Sequence, residues 1–404
     1  MSEDLIIRSG YIEKIKPFIG KNLIKVLTGQ RRVGKSYMLK QLIAQIRITE
    51  PNANVIYIDK ELEDFSALKN HKDLDNYVKQ HLSADQKNYL FIDEVQEIEE
   101  FQHSLRSLLN QKSCDIYCTG SNATMLSGEL ATLLAGRYME FSIHGLSYTE
   151  FLEFNQLKES VENLNLYLTL GGMPYQHNIG TDPAIVFEYL KNLYASILLR
   201  DVVSRENIRN VALLENLVMF LADNTGSLLS AQNISKYLKS QQINIPTQSV
   251  INYLKALTNA YFVHKVSRAD IQGLKIFEIG EKYYFEDLGL RNSIRPMNYR
   301  GDIAKLMENA VYLHLIRNGY RVYVGKSEDK EIDFMAEKNG ERRYVQVTYL
   351  LTDKNTVERE FGNLNEIPDN YPKYVVTMDE LKPLNTYKGI QQIHLRQFLQ
   401  METI

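Results

Sequence analysis

The chain is short of cysteine, of net charge and of long apolar runs, and each shortage removes a class of protein. Two cysteines in 404 residues are too few for the disulfide framework of a small secreted domain. They fall in Cys114-Asp115-Ile116-Tyr117-Cys118, an apolar run that reads as a strand. Four strand steps hold them ~13 Å apart, beyond disulfide reach. With no neighbouring His or Cys to complete a metal set, they read as small buried hydrophobes. Lys and Arg total 47 against 50 Asp and Glu, a net charge of −3. That balance excludes a nucleic-acid coat protein, although a local basic face would survive inside it. No stretch reaches ~18 consecutive apolar residues, so no bilayer-spanning helix is expected. Glu3 and Asp4 stand where a secretory signal would be basic and then apolar, and the chain is expected to be cytoplasmic. What remains is an ordinary globular composition, 44% apolar and 24% charged. At ~100–200 residues per domain, the length suits two or three domains.

The first ~150 residues alternate short apolar runs with stretches of helical spacing. The runs are Leu23–Thr28, Val55–Asp59, Tyr89–Asp93, Asp115–Thr119 and Tyr138–Ile143. Continuous apolar strands of four to six residues suit a parallel sheet buried on both faces, hence an α/β unit. From Ser147 to Arg209 the strand signal vanishes. Apolar residues recur there at helical intervals, broken by Gly171-Gly172-Met173-Pro174, as in a small helical lid. Three helical stretches then precede a strand pair, Tyr261–Val266 and Lys275–Phe285, which together predict a winged helix. The remainder predicts a helix over Asp302–Asn318, strands at Arg321–Val324, Glu331–Ala336 and Arg343–Tyr349, a helix near Thr356–Leu364 and a strand at Lys373–Thr377. The expected boundaries are 1–146, 147–210, 211–292 and 293–404.

Gly29-Gln30-Arg31-Arg32-Val33-Gly34-Lys35-Ser36 fits G-x₄-G-K-[ST] in full. It follows a predicted strand and opens a predicted helix at Tyr37, the context in which such a loop cradles phosphate. Glycines let backbone N–H groups turn inward, and the helix N-terminus adds favourable partial charge. Lys35 is expected on the β- and γ-phosphates, the Ser36 hydroxyl on Mg²⁺, and Gly29 through Tyr37 around the nucleotide. The run Tyr89-Leu90-Phe91-Ile92-Asp93-Glu94 ends an apolar strand in two carboxylates, at the strand end where open α/β sheets bind ligands. Asp93 is expected to hold the Mg²⁺ shell, and Glu94 to orient and deprotonate water. Thr119-Gly120-Ser121-Asn122 ends the fourth run, where Ser121 or Asn122 would sense the γ-phosphate; turn chemistry explains the same residues. Arg137, before the fifth run, would reach a neighbouring subunit's nucleotide or stay an ordinary surface residue.

These residues resemble the AAA-type ATPases of a prokaryotic family that joins the ATPase to a winged helix and a C-terminal domain of unknown function. The resemblance rests on the phosphate loop, Ile92-Asp93-Glu94-Val95-Gln96, Thr119–Asn122 and Leu134-Ala135-Gly136-Arg137-Tyr138. Leu146-Ser147 with Glu150-Phe151, Gly171–Pro174, Arg200-Asp201 and Phe285-x-Asp287-x-Gly289-Leu290 extend it over nearly the whole chain. It implies a P-loop NTPase fold of AAA type, ATP rather than GTP with Mg²⁺, Arg137 at the arginine-finger place, and homo-oligomers at least transiently. No guanine-reading N-K-x-D occurs in the sequence.

Two further expectations concern the rest of the chain. Between Gly226 and Lys282 there are seven basic residues, Lys236, Lys239, Lys255, Lys265, Arg268, Lys275 and Lys282, and three acidic ones, Asp270, Glu278 and Glu281. This local excess suits phosphate contacts from a recognition helix and wing, or merely a solvated face on a protein-docking module. The C-terminal order resembles a restriction-endonuclease-like core, with Glu308 and Asp333 at matching places. Its third strand reads Gln346-Val347-Thr348 where active members carry E-x-K, so a degenerate, non-cutting domain is expected. A neutral amide is a poor ligand for a hard cation, and threonine supplies no positive charge. Lys326 and Lys330 are the nearest substitutes in sequence.

Overall fold

The computed structural model describes residues 6–126, 134, 136–271, 273, 276–296, 298–327, 330–351, 354–380 and 386–404. Ala135, Lys275 and the segment bearing Glu3 and Asp4 lie outside the described residues. The chain divides into two compact units, residues 1–144 with 259–261, and 145–258 with 262–404. Among the described residues no helix is long and apolar enough to cross a membrane.

In the first unit, strands β1 (Ile24–Thr28), β2 (Asn54–Asp59), β3 (Asn88–Asp93), β4 (Asp115–Gly120) and β5 (Tyr138–Ser142) form one parallel sheet in the order β2-β3-β4-β1-β5. Successive strand side chains point to opposite faces, and both faces are covered. Leu90 and Ile92 of β3 pack with Leu74 and Val78 of α3 (His71–His81) and Leu105 and Leu108 of α4 (Phe101–Gln111). Tyr89 and Phe91 pack the other way, with Met38, Leu39 and Leu42 of α2 (Lys35–Thr49) and Ile12 and Ile15 of α1 (Ser9–Ile15). Cys118 is buried in the first layer and Cys114 is half-buried; both are free thiols. This is the α/β P-loop sheet that the apolar runs predict.

The second unit opens with helices α5 (Tyr148–Phe154), α6 (Val161–Leu170) and α7 (Pro183–Ser196), the last running into a π-helix, Ile197–Ser204. Helices α8 (Val211–Asp223), α9 (Ala231–Ser240) and α10 (Thr247–Asn259) precede the hairpin β6 (Val263–Asp270) and β7 (Ile276–Phe285). After α11 (Leu288–Ile294) and α12 (Tyr299–Arg317) come β8 (Arg321–Ser327), β9 (Lys330–Lys338) and β10 (Glu341–Val347). Helix α13 (Lys354–Asn365), strands β11 (Lys373–Thr377), β12 (Thr386–Tyr387) and β13 (Ile390–His394), and α14 (Leu395–Phe398) close the chain. The hairpin does not stand apart as a wing. β6 pairs in parallel with β8 through Arg268, Ala269 and Asp270, which makes one eight-stranded sheet in the order β12-β13-β11-β10-β9-β8-β6-β7. Pairing between residues some 55 apart leaves no local pattern, which is why periodicity alone suggests an isolated hairpin.

Several sequence motifs find their physical reason in this unit. Ser147 and Glu150 form a reciprocal capping box at the start of α5, with Phe151 buried behind it. Gly171–Pro174 and Asp287–Leu290 are two halves of one joint. Asp287 accepts from the Gly172 N–H at 2.6 Å and the Leu290 N–H at 2.8 Å. Gly171 has φ +74, and a Cβ there would meet Asp287 Oδ1 and Gly289 N at 2.4 Å; a Cβ on Gly289 would meet Leu170 O at 1.9 Å. No side chain fits between these backbones.

Burial pushes the Asp287 carboxyl from its ordinary 3.8 up to about 6. Its contribution to stability is therefore fullest below about pH 4 and is lost as the pH rises to about 6. Replacement by alanine would strand two buried N–H groups at ~1–3 kcal/mol each, so Asp287→Ala is expected to cost this unit about 2–6 kcal/mol. Amide hydrogen exchange at Gly172 and Leu290 checks this: protected in wild type, fast in the variant. Unchanged protection would mean the joint does not depend on the carboxylate.

Candidate functional site

The phosphate loop leaves the carboxyl end of β1 and enters α2 without a side-chain cap. Gly29 approaches β5 so closely that a Cβ would lie 2.1 Å from Ile143 O, and Arg32 and Gly34 have φ +69 and +98. Left-handed residues among right-handed ones gather successive N–H groups into an anion-binding concavity. Lys35 is buried, and its Nζ donates to Gly29 O at 3.1 Å and Gln30 O at 3.0 Å while standing 3.7 Å from Glu94 Oε1.

The sheet order sets β4 between β1 and β3, so Thr119 to Asn122 stand between the loop and the two carboxylates. The Thr119 hydroxyl donates to Asp93 Oδ1 and accepts from the Glu94 N–H at 2.8 Å. The Ser36 hydroxyl is close enough to Asp93 to lower its carboxyl. Burial pushes the Asp93 carboxyl up, against the pull of Ser36 and Thr119. Glu94 follows in left-handed backbone, φ 55 and ψ 54, an outlier of the kind that gathers at functional sites. The Ser121 hydroxyl donates to Glu94 Oε2 at 3.1 Å, and Gln96 Nε2 donates to the same oxygen. Burial raises this carboxyl too, but the Lys35 charge and the Gln96 and Ser121 bonds outweigh it and hold it below the ordinary value. An ionised Glu94 at neutral pH can accept a proton.

The other expected residues are placed as follows. Arg31 is buried and paired with Glu61 at 2.9 Å, Arg32 is exposed, and Val33 is buried in the core. Tyr37 is exposed with the Lys40 ammonium 5.0 Å from its ring centroid. Asn122 is buried, and the Ser121 hydroxyl bonds Glu94. Arg137 precedes the edge strand β5 and donates to Asn110 Oδ1 at 2.7 Å. Gln30 is fully buried with both amide atoms unpartnered. An orphaned amide in the loop, a lysine ammonium and the hard oxygens of Ser36 and Asp93 fit an anionic ligand with Mg²⁺. Gln96 and Thr119 were not singled out as site residues from sequence. Gln96 stands two places after Glu94, in the 3₁₀ turn Val95–Glu97, and this proximity is the signal that could have found it.

In the second unit Glu308, Asp333 and Gln346 do line one cleft of about 410 Å³, together with Glu331 and Glu360. The expected lack of positive charge there is corrected. Lys282 of β7, counted above among the basic residues of the wing, is buried beside it, 2.8 Å from Glu308, 2.9 Å from Glu331 and 3.4 Å from Asp333. Lys330, one of the two nearby lysines of the sequence, pairs with Glu366. The Tyr284 hydroxyl adds a bond to Glu308 at 2.5 Å; burial and the Asp333 charge push the Glu308 carboxyl up to about 7, against the pull of Lys282 and Tyr284. The basic face is correspondingly smaller, since Lys265 is also paired, with Glu281 at 2.8 Å.

Residues 21–152 match a family described as an AAA domain, and residues 161–300 match a domain of unknown function. The second match runs across the boundary expected at 210/211. An uncharacterized protein of Haemophilus influenzae is 35% identical over 388 residues, 93% of this chain and 94% of its own length. An uncharacterized protein of Methanocaldococcus jannaschii is 30% identical over 354 residues, 84% of this chain and 77% of its own. Among solved structures, Cdc6p from Pyrobaculum aerophilum aligns with 72% of this chain and 94% of its own at 14% identity, with a TM-score of 0.33.

Proposed function

We propose, for a chain that belongs to one family with the Haemophilus influenzae and Methanocaldococcus jannaschii proteins and carries an AAA domain, that it binds ATP and hydrolyses it with Mg²⁺. The observation that carries this reading is the convergence of Lys35 and Ser36, from the loop, with Asp93 and Glu94, from the end of β3, on one end of the parallel sheet. Lys35 holds the β- and γ-phosphates, in exchange for its bonds to the loop's own carbonyls. Ser36 and Asp93 hold Mg²⁺, which when bound neutralises charge on the phosphates. Glu94 orients water for in-line attack on the γ-phosphorus and takes its proton, and Thr119 fixes the backbone that aims it. Ser121 reports the γ-phosphate, because its hydroxyl bonds Glu94 in the present arrangement. Arg137 serves a neighbouring subunit from the edge of the sheet, in a homo-oligomer formed at least transiently. Release of phosphate from Mg-ATP by the full chain tests the reading. A second reading, a nucleotide-gated switch with little turnover, is favoured by the hold of Gln96 and Ser121 on Glu94; ATP binding without phosphate release would select it.

The free energy of hydrolysis is spent on a macromolecular partner, DNA or protein. Burial of Lys282 and pairing of Lys265 favour protein docking by the helices and hairpin of the second unit. The C-terminal cleft is proposed as a binding or structural feature rather than a nuclease. Lys282 supplies a positive charge but also saturates the carboxylates a metal would need, and Gln346 remains a neutral amide. Plasmid incubated with the protein, Mg²⁺ or Mn²⁺ and ATP is expected to stay intact. Cleavage abolished by Asp333→Ala would make the chain an ATP-dependent nuclease instead.

A further inference from the structure

The phosphate loop is tied from outside by a residue remote from its motif. Arg8 stands before α1 and outside the 21–152 span of the AAA match. It is buried, and its Nη1 donates to two backbone carbonyls, Val33 O of the loop at 3.1 Å and His144 O beyond β5 at 2.9 Å. The guanidinium lies 4.6 Å from the centroid of the Tyr11 ring, whose hydroxyl accepts from the His144 N–H at 3.1 Å. The segment is pinned to α2 as well. Arg8 N donates to Gln41 Oε1 at 3.1 Å, and Gln41 Nε2 donates to Ile6 O at 2.9 Å.

The bond to Val33 has a geometric consequence. A trans peptide is planar, with its C=O and N–H on opposite sides. Arg8 draws the Val33 carbonyl to one side and so turns the Gly34 N–H to the other. That peptide joins Val33 to left-handed Gly34, immediately before Lys35, and Arg32 on the other side of Val33 is left-handed too. Left-handed backbone is unfavourable for a side chain such as Arg32's, so an external tie that holds it has something to hold. A guanidinium suits this task better than an ammonium, because its planar fork keeps its donors in fixed directions and it is the more weakly hydrated cation to bury.

We propose that Arg8 is a positioning residue for the nucleotide's phosphates: through the Val33 carbonyl it presets the loop N–H groups that receive them, without touching the nucleotide itself. The proposal rests on the ATP-binding reading. Its test is a titration of the full-length wild type, Arg8→Ala and Arg8→Lys with Mg-ATP and with tripolyphosphate, thermal midpoints being recorded alongside. Arg8→Ala is expected to weaken both ligands by a similar factor, about tenfold or more, as misplaced binding groups do. Added ethylguanidinium should recover part of that loss in Arg8→Ala and change nothing in wild type. A purely structural role would lower the midpoint without this rescue. Should Arg8→Ala fail to fold, Arg8→Lys carries the test, with an intermediate loss expected because one ammonium cannot reproduce the fork. Wild-type affinity in either folded variant, or a loss confined to ATP with tripolyphosphate unchanged, would overturn the proposal. Wild-type protein that binds neither ligand would overturn the ATP reading itself.

Discussion

Glu94→Gln is expected to keep ATP and lose its turnover, by ~10²-fold or more. The substitution retains the side chain's size and an oxygen that can accept from Ser121 and Gln96, which both bond the carboxylate in the wild type. It removes the one atom set that can take a proton from water. Because the Lys35 charge helps hold the carboxyl below its ordinary value, the wild-type base is ionised throughout the neutral range, and its loss is not a matter of pH. Binding is a separate matter, since the proposed phosphate contacts are those of Lys35 and the loop. A fluorescent ATP analogue measures retention, and phosphate release measures turnover, on the same preparation. Turnover of the variant close to wild type would remove Glu94 from the mechanism. Loss of binding together with turnover would make it a structural residue of the loop.

The parts of this account that were legible in the sequence are those with local patterns. Five short apolar runs predicted five parallel strands, because residues buried on both faces leave continuous apolar stretches rather than alternation. The phosphate loop was legible because its chemistry requires glycine and lysine at fixed spacing, and Asp93 and Glu94 because they end an apolar strand. What was not legible depends on residues brought together from far apart. Lys282 joins Glu308, Glu331 and Asp333 across gaps of 26 to 51 residues, and it carried the appearance of a surface cation of the wing. The pairing of β6 with β8, which merges hairpin and C-terminal strands, has the same cause. Gly171-Gly172 and Asp287 were visible as motifs without a reason; their reason is a backbone contact too close for any Cβ. Arg8 had no signal at all, since a lone arginine before a short helix looks like any exposed one.

Lys35 is the residue on which the account's central claim turns, that Mg-ATP is held by the loop at residues 29–36. Its ammonium is already desolvated, and its present partners include two carbonyls of the loop and, at 3.7 Å, the Glu94 carboxylate. Phosphate offers it a charge-assisted bond in place of neutral ones, worth on the order of 1.5–3 kcal/mol. Removing the ammonium should therefore weaken ATP by roughly 10- to 150-fold, with the fold intact because alanine suits the first turn of α2. Calorimetric titration of wild type and Lys35→Ala with Mg-ATP tests this most directly. One site per chain is expected in wild type and a loss of that size or more in the variant; near-wild-type affinity in a folded Lys35→Ala chain would contradict ATP binding by this loop.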